Sequence, residues 1–227
     1  MTVEPRGIAR LVGLALAIIF LGACAARGPV VRLQGDVADI EKVVILPYEN
    51  MAARHAPDTG ILSPISGRVF VSGPVDKRAE QFLTGQLFAH VRRDTAFEIL
   101  PSRDATVVLN ALADGEGRRW NQLELLLQTG RRLGADAIMI GHVYRFRERV
   151  GGGLSVESPA SVAFDMYLID CRQETIPWSA FYDYTQESLS SNLGGFRDFF
   201  RRGGRWVTAE ELAKAAMDQI FEDFPRR

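Results

Sequence analysis

Residues 137–143 read Ala-Ile-Met-Ile-Gly-His-Val, and no other stretch constrains the fold as tightly. A short, nearly all-apolar run placed just after Gly134 is the mark of a strand covered on both faces. From Tyr144 the pattern alternates, with Arg145, Arg147 and Arg149 on one side, so the strand is expected to run out of the core into solvent. Two period-2 runs follow: Val162, Phe164, Met166 and Leu168, then Trp178, Ala180, Tyr182 and Tyr184. Gly151-Gly152-Gly153 marks the first reversal and residues 172–174 the second, which predicts three consecutive antiparallel strands.

The remaining elements fall around this meander. Val43-Val44-Ile45-Leu46, closed by Pro47, reads as a buried strand, and residues 97–100 as another. Residues 48–73 are interrupted by Pro57, Gly60, Pro64 and Gly67 and read as a long loop with a small strand near 68–71. From Pro74, expected in a first helical turn, the residues Ala79, Phe82, Leu83, Leu87, His90 and Val91 share one helical face. Ser102 is placed to cap a helix facing inward through Ala105, Val108, Leu109 and Leu112. Asn121 with Glu124, and Thr208 with Glu211, form capping-box pairs. The first opens a helix over Leu123, Leu126, Leu127, Gly130 and Leu133, and the second a last helix over Leu212, Ala216, Ile220 and Phe224. The order implies an α/β (α+β) fold: a mixed sheet of about five strands with helices packed against it, ending in an antiparallel meander and a C-terminal helix.

The start of the chain sets the compartment. Arg6 and Arg10 precede an uncharged apolar run over residues 11–21, and Gly22 and Ala23 stand before Cys24. That order is a secretory signal peptide, and its apolar part falls short of the roughly 20 residues that span a bilayer. Leu21-Gly22-Ala23-Cys24 resembles the lipobox of bacterial lipoproteins. The resemblance implies a diacylglyceryl cysteine at Cys24, cleavage before it, and acylation of the new amine, with palmitate among the chains. Together the chains make a stable anchor, at about 0.8 kcal/mol per buried methylene. Ala25 and Ala26 follow where an Asp would favour inner-membrane retention in enterobacterial-type lipoproteins, so the resemblance implies the periplasmic face of the outer membrane.

The expected organisation is therefore a signal peptide over residues 1–23, the lipidated cysteine and a polar tether over 24–40, and a periplasmic domain over 41–227. The tether would reach at most about 55 Å. Cleavage leaves 204 residues with 25 basic and 27 acidic side chains, a balance that offers no electrostatic case for nucleic acid. Cys171 is then the only thiol left, so no intramolecular disulfide can form. It reads either as a reactive or pairing thiol or as a small buried hydrophobe.

Three stretches also look alike to a known group: residues 43–47 followed by Glu49-Asn50; Gly134-Ala135-Asp136-Ala137 leading through Ile140 to Gly141; and Leu168-Ile169-Asp170 followed by Trp178-Ser179. They resemble the superfamily of periplasmic α/β domains that includes the TolB amino-terminal domain, the curli-secretion lipoprotein CsgG and the penicillin-binding-protein activator LpoB. The resemblance covers most of residues 43–224 and implies the fold and an envelope location, with no catalytic residue carried over. A CsgG-like pore needs strands of about 9 to 11 residues with one lipid-facing side. The hairpin around Gly151 carries Arg145, Arg147, Arg149, Glu148 and Glu157 and offers no such band.

No metal-ligand pair at helical spacing, phosphate-cradling glycine loop or nucleophile elbow is present in the sequence. His90 and His142 read as core or interface residues, and no metal or cofactor is expected. The least ordinary segment interleaves Phe196, Phe199, Phe200 and Trp206 with Arg197, Arg201, Arg202 and Arg205. Arginine with aromatics is the composition of interface hot spots, although the same aromatics would also suit the edge of a sheet. The expectation is a lipid-anchored, non-enzymatic envelope protein that docks on, assembles or activates another envelope machine. Its partners are the membrane, through Cys24, and an envelope protein, through residues 196–206. The alternatives are a subunit of a CsgG-like secretion channel and an unrecognised enzyme acting on cell wall or lipid.

Overall fold

The computed structural model of the protein describes residues 28–115, 120–151, 156–186 and 207–225. At its centre stands β7 (Ala137–Arg147), flanked on one side by β2 (Lys42–Ile45) in parallel and on the other by β10 (Ser161–Asp170) in antiparallel register. Beyond β2 lies β6 (Glu98–Leu100), parallel to it, and beyond β10 lies β11 (Thr175–Thr185), antiparallel. β1 (Val30–Leu33) closes the β11 edge, and β3 (Glu49–Asn50) continues along β7 where β2 stops. The sheet is mixed, as expected, but has seven strands, while β8 (Val150–Gly151) and β9 (Val156–Ser158) pair with each other in a separate ribbon. The two additions, β1 and β3, have four and two residues, too few to leave a period in the sequence.

α1 (Ala79–Asp94) and α4 (Ala209–Glu222) cover one face, where Val143, Phe164, Met166, Leu168, Trp178 and Ala180 are buried. α2 (Ser102–Ala113) and α3 (Gln122–Leu133) cover the other, over Val44, Ile138, Ile140 and Ile169. The rest of that second face lies under a small hairpin, β4 (Gly60–Leu62) with β5 (Val69–Val71), whose Ile61 and Phe70 pack on Tyr144 and Ala163. The segment expected to be a long loop with a small strand near 68–71 holds that strand as β5 and forms a cap on the sheet, with Phe70 stacked on Tyr144 at a ring-centroid distance of 4.1 Å.

Both capping boxes form in full, Asn121 with Glu124 and Thr208 with Glu211, and α3 stops at Gly134 in the left-handed conformation. Two start signals were misplaced. Ser102 is the first residue of α2 behind Pro101 and makes no capping bond, and Pro74 lies five residues ahead of α1, where its carbonyl instead accepts the Phe146 amide. Part of the segment expected to be a polar tether is folded onto the domain: Val30–Leu33 pairs with β11, and Val37 and Ile40 are buried in the core.

A further correction concerns the end of β7. Tyr144, Arg145 and Phe146 are all buried rather than running into solvent. The register against β10 shifts between Ala163 and Phe164, which keeps Arg145 on the same face as Tyr144. There its guanidinium meets Asp183, Ser161 and the Val71 carbonyl, partners on three separate elements that the strand pattern alone does not reveal.

Candidate functional site

Cys24 and the segment with Phe196, Arg197, Phe199, Arg201, Arg202, Arg205 and Trp206 lie outside the described residues. What the structure brings together instead is a buried polar lattice on the second face. Asp165 on β10 stands directly opposite His142 on β7, and Tyr144 and Tyr167 are each two residues along their strands on the same face. The Asp165 carboxylate accepts from His142 Nδ1 at 2.7 Å, the Tyr144 hydroxyl at 2.9 Å and the Tyr167 hydroxyl at 2.7 Å. Three donors offset the cost of holding a carboxylate that is 1% exposed. Burial, with Asp165 beside them, pushes both tyrosines well above the usual phenol range, so they remain donors.

The lattice extends to both sides. Tyr167 Oη lies 2.9 Å from Ser63 Oγ and 2.7 Å from Ser66 Oγ on the turn between β4 and β5. With its Nδ1–H donating to Asp165, His142 accepts at Nε2 from Gln122 Nε2 at 3.2 Å, in the first turn of α3. The Gln122 amide also donates to Glu49 of β3. One connected set of bonds therefore ties the hairpin, the two central strands, α3 and β3 together.

A histidine oriented by a carboxylate is one half of acid–base machinery. Here the imidazole is fully buried, its Nε2 is occupied by Gln122, and the serines contact Tyr167 rather than the histidine. The geometry performs clamping. Its sequence signal was Ser161, Asp165 and Tyr167, polar residues alternating with the apolar row from Val162 to Leu168, which was the part recognised. His142, expected in the core or at an interface, is in the core, as the partner of an aspartate.

Two other polar groups, His90 and Asp136, join elements in the same way. His90 of α1 lies 2.9 Å from Asp94 and 3.3 Å from Asp218 of α4, with its ring stacked on Phe221 at 4.7 Å. The Arg93 guanidinium hydrogen-bonded to Asp94, helped by His90, holds that carboxyl down at about 2. Burial opposes ionisation of Asp136, yet the Lys42 and Glu41 amides and Arg172 outweigh it and leave its pKa below the usual carboxylate range. Cys171 is buried, and burial pushes its thiol up to about 12, which fits the small-hydrophobe reading rather than the reactive one. Gly130 of α3 packs so closely on it that an added Cβ would sit 2.2 Å from the sulfur.

Among the described residues no group of three or more His, Cys, Asp or Glu side chains is arranged to hold a metal ion. No described helix is long and apolar enough to cross a membrane.

One part of the surface has a distinct composition. Arg32 of β1 and Arg68, just before β5, both lie over the Phe181 ring of β11, with guanidinium carbons 5.9 and 3.4 Å from its centroid. Val30, the β1 residue opposite Phe181, is exposed, as are Leu62, Val69 and Val71 on the outer side of the hairpin.

No protein-family model matches the sequence, and no curated protein does either. Solved structures of similar architecture include the PelC dodecamer from Paraburkholderia phytofirmans, at 14% identity over 88% of this chain and 99% of that one, with a TM-score of 0.47. Lipoprotein GNA1162 from Neisseria meningitidis is similar at 15% identity over 81% of this chain and 99% of that one, with a TM-score of 0.42. The LpoB C-terminal domain from Salmonella enterica is similar at 13% identity over 67% of this chain and 89% of that one, with a TM-score of 0.40.

Proposed function

We propose that the chain is a lipid-anchored envelope protein of the outer membrane, exported, cut before Cys24 and held at the periplasmic face, where it docks on and assembles or activates another envelope protein without catalysing a reaction. The observation that carries this reading is the residue order at the start of the chain: Arg6 and Arg10, an uncharged run, then Leu21-Gly22-Ala23-Cys24. The interior is consistent with a scaffold, since the one buried histidine–aspartate pair of the central strands is consumed in hydrogen bonds that join elements. The docking surface belongs to residues 196–206, where arginines and aromatics interleave.

Replacing Cys24 with Ala, in cells fed labelled palmitate, tests the anchor. Loss of label, with accumulation of the uncleaved precursor or a soluble periplasmic form, is the expected result. A variant that stays with membranes after a high-salt wash would show that something other than lipid on Cys24 holds the protein. Arg201→Ser with Arg202→Ser tests docking by crosslinking in intact cells: recovery of the crosslinked envelope protein should fall while the thermal midpoint barely changes. Unchanged crosslinking would remove this segment from the binding surface.

A further inference from the structure

The position of β1 limits where the rest of the molecule can be. Val30 opens β1 only six residues after Cys24, and a fully extended chain of that length spans at most about 21 Å. The domain cannot stand off on a long tether. Gly28 sits against α4, where an added Cβ would be 3.6 Å from the Gln219 side chain, so the chain enters at the β1 edge of the sheet. Resting on the reading that Cys24 carries lipid, that edge must face the bilayer.

The composition of that edge matches the constraint. Of the eight large hydrophobic side chains exposed among the described residues, five lie on β1 or the β4–β5 hairpin: Val30, Leu33, Leu62, Val69 and Val71. Arg32 and Arg68 lie on Phe181 beside Val30, with Leu33 on the other face of the same edge strand, and neither arginine forms an ion pair with a carboxylate of the described residues. Apolar side chains beside cations with no counter-charge among the described residues suit the boundary between acyl chains and anionic headgroups.

The geometry points to a membrane-contact surface: β1 and the outer side of the β4–β5 hairpin lie on the bilayer, with Arg32 and Arg68 binding the phosphates of anionic phospholipids. The domain then has a fixed orientation. The opposite edge of the sheet, with β6 and α2, stands five strand spacings away, roughly 24 Å from β1, and faces the periplasm.

The test uses the full lipidated chain reconstituted into vesicles of phosphatidylcholine, alone or with phosphatidylglycerol. Val69 and Val107 are 61% and 63% exposed, the first on the hairpin and the second on α2. Val69→Cys and Val107→Cys should therefore react with a membrane-impermeant maleimide at nearly equal rates wherever neither is covered, and buried Cys171 adds little background. On phosphatidylglycerol vesicles Val69→Cys should react much more slowly than Val107→Cys. Arg32→Gln or Arg68→Gln should each weaken that protection about fivefold, as about 1 kcal/mol per cation at an anionic surface implies.

Equal rates on phosphatidylglycerol vesicles that carry the protein when floated would overturn the inference. Protection that persists in detergent micelles would overturn it in favour of contact between copies of the chain. Protection equal on neutral vesicles and indifferent to both arginine variants would overturn the headgroup assignment. Failure of the chain to float with vesicles, or flotation unchanged by Cys24→Ala, would instead overturn the anchoring reading on which the orientation rests.

Discussion

The two faces of the sheet are closed by different chemistry. Against α1 and α4 the buried strand residues are almost all apolar, and Trp178 is ringed by Phe221 and Phe224, with centroids at 5.9 and 5.0 Å. Against α3 and the β4–β5 hairpin the apolar rows of Ile138, Ile140 and Ile169 give way to His142, Tyr144, Asp165 and Tyr167. The first face asks for volume and shape. The second asks for particular donors opposite particular acceptors, and it has them. The Tyr48 hydroxyl and Trp178 Nε1, buried without a hydrogen-bond partner among the described residues, both lie on the first face. Burial of large rings there tolerates two idle polar atoms, whereas the four residues around Asp165 are all bonded and only Gln122 Oε1, at the outer end of the lattice, has no partner among the described residues.

That contrast can be broken at its centre. Asp165→Ala strips the acceptor from three buried donors and should cost about 3 to 5 kcal/mol in chemical denaturation, with hydrogen exchange accelerating first in the β4–β5 hairpin and β3. Retention of wild-type stability would mean that the lattice carries none. Leu87→Ala, on the opposite face, should cost about 2 to 5 kcal/mol through a cavity between α1 and the sheet, and the loss should be the same at every pH. Tyr167→Phe, which removes the link from Asp165 to Ser63 and Ser66, should cost about 1 to 3 kcal/mol and loosen the hairpin without disturbing α4.

The two tyrosines sharpen the comparison through pH. Their unfolded-state value is about 10, and in the folded state burial and Asp165 raise it, so the fold binds those protons more tightly than the unfolded chain does. Their contribution is complete below pH 10 and is lost as pH rises above it toward the folded values. Wild type should weaken above pH 10, as read by denaturant midpoints, and Tyr144→Phe with Tyr167→Phe should flatten that decline. The smallest effect is expected at Tyr48. Tyr48→Phe deletes a hydroxyl without a partner and should leave stability unchanged or raise it by about 1 kcal/mol at most, as measured by the thermal midpoint. The ring itself must stay, because it lies against Gly141, where a Cβ would come within 2.2 Å of it.

Where the sequence carried a period or a local cap, it could be read. The helix faces, the three-strand meander and both capping boxes depend on spacings of two, three or four residues, and each is where the pattern put it. The burial of His90 and His142 was also legible, from uncharged neighbours on either side, and that of Cys171 from its place at the end of a strand. The edge strands were not. Val30–Leu33 reads as polar linker because one edge of β1 is open and three of its four residues, Val30, Arg32 and Leu33, are exposed. Of the hairpin, β5 stands where a small strand was expected near 68–71, but β4 was missed, because a three-residue strand between proline and glycine breaks has no recognisable alternation until a sheet lies beneath it. Arg145 misled because charge was taken as a sign of solvent, and its partners Asp183, Ser161 and Val71 are distant in the chain.

By itself the sequence determined the elements whose causes are local: which stretches are helix or strand, where helices start and stop, and which side of each is apolar. It also contained the Cys24 signal, which is chemical and needs no fold. Tertiary structure alone decided that Asp165 faces His142, that the hairpin caps the polar half of one face, and that β1 closes the sheet six residues after the proposed anchor. Those outcomes depend on strand register and on pairs 13 to over 100 residues apart, as between Thr59 and Ser72 or Ser63 and Tyr167. A one-residue slip in register reverses every side chain, so no local pattern specifies such pairs until the strands have met.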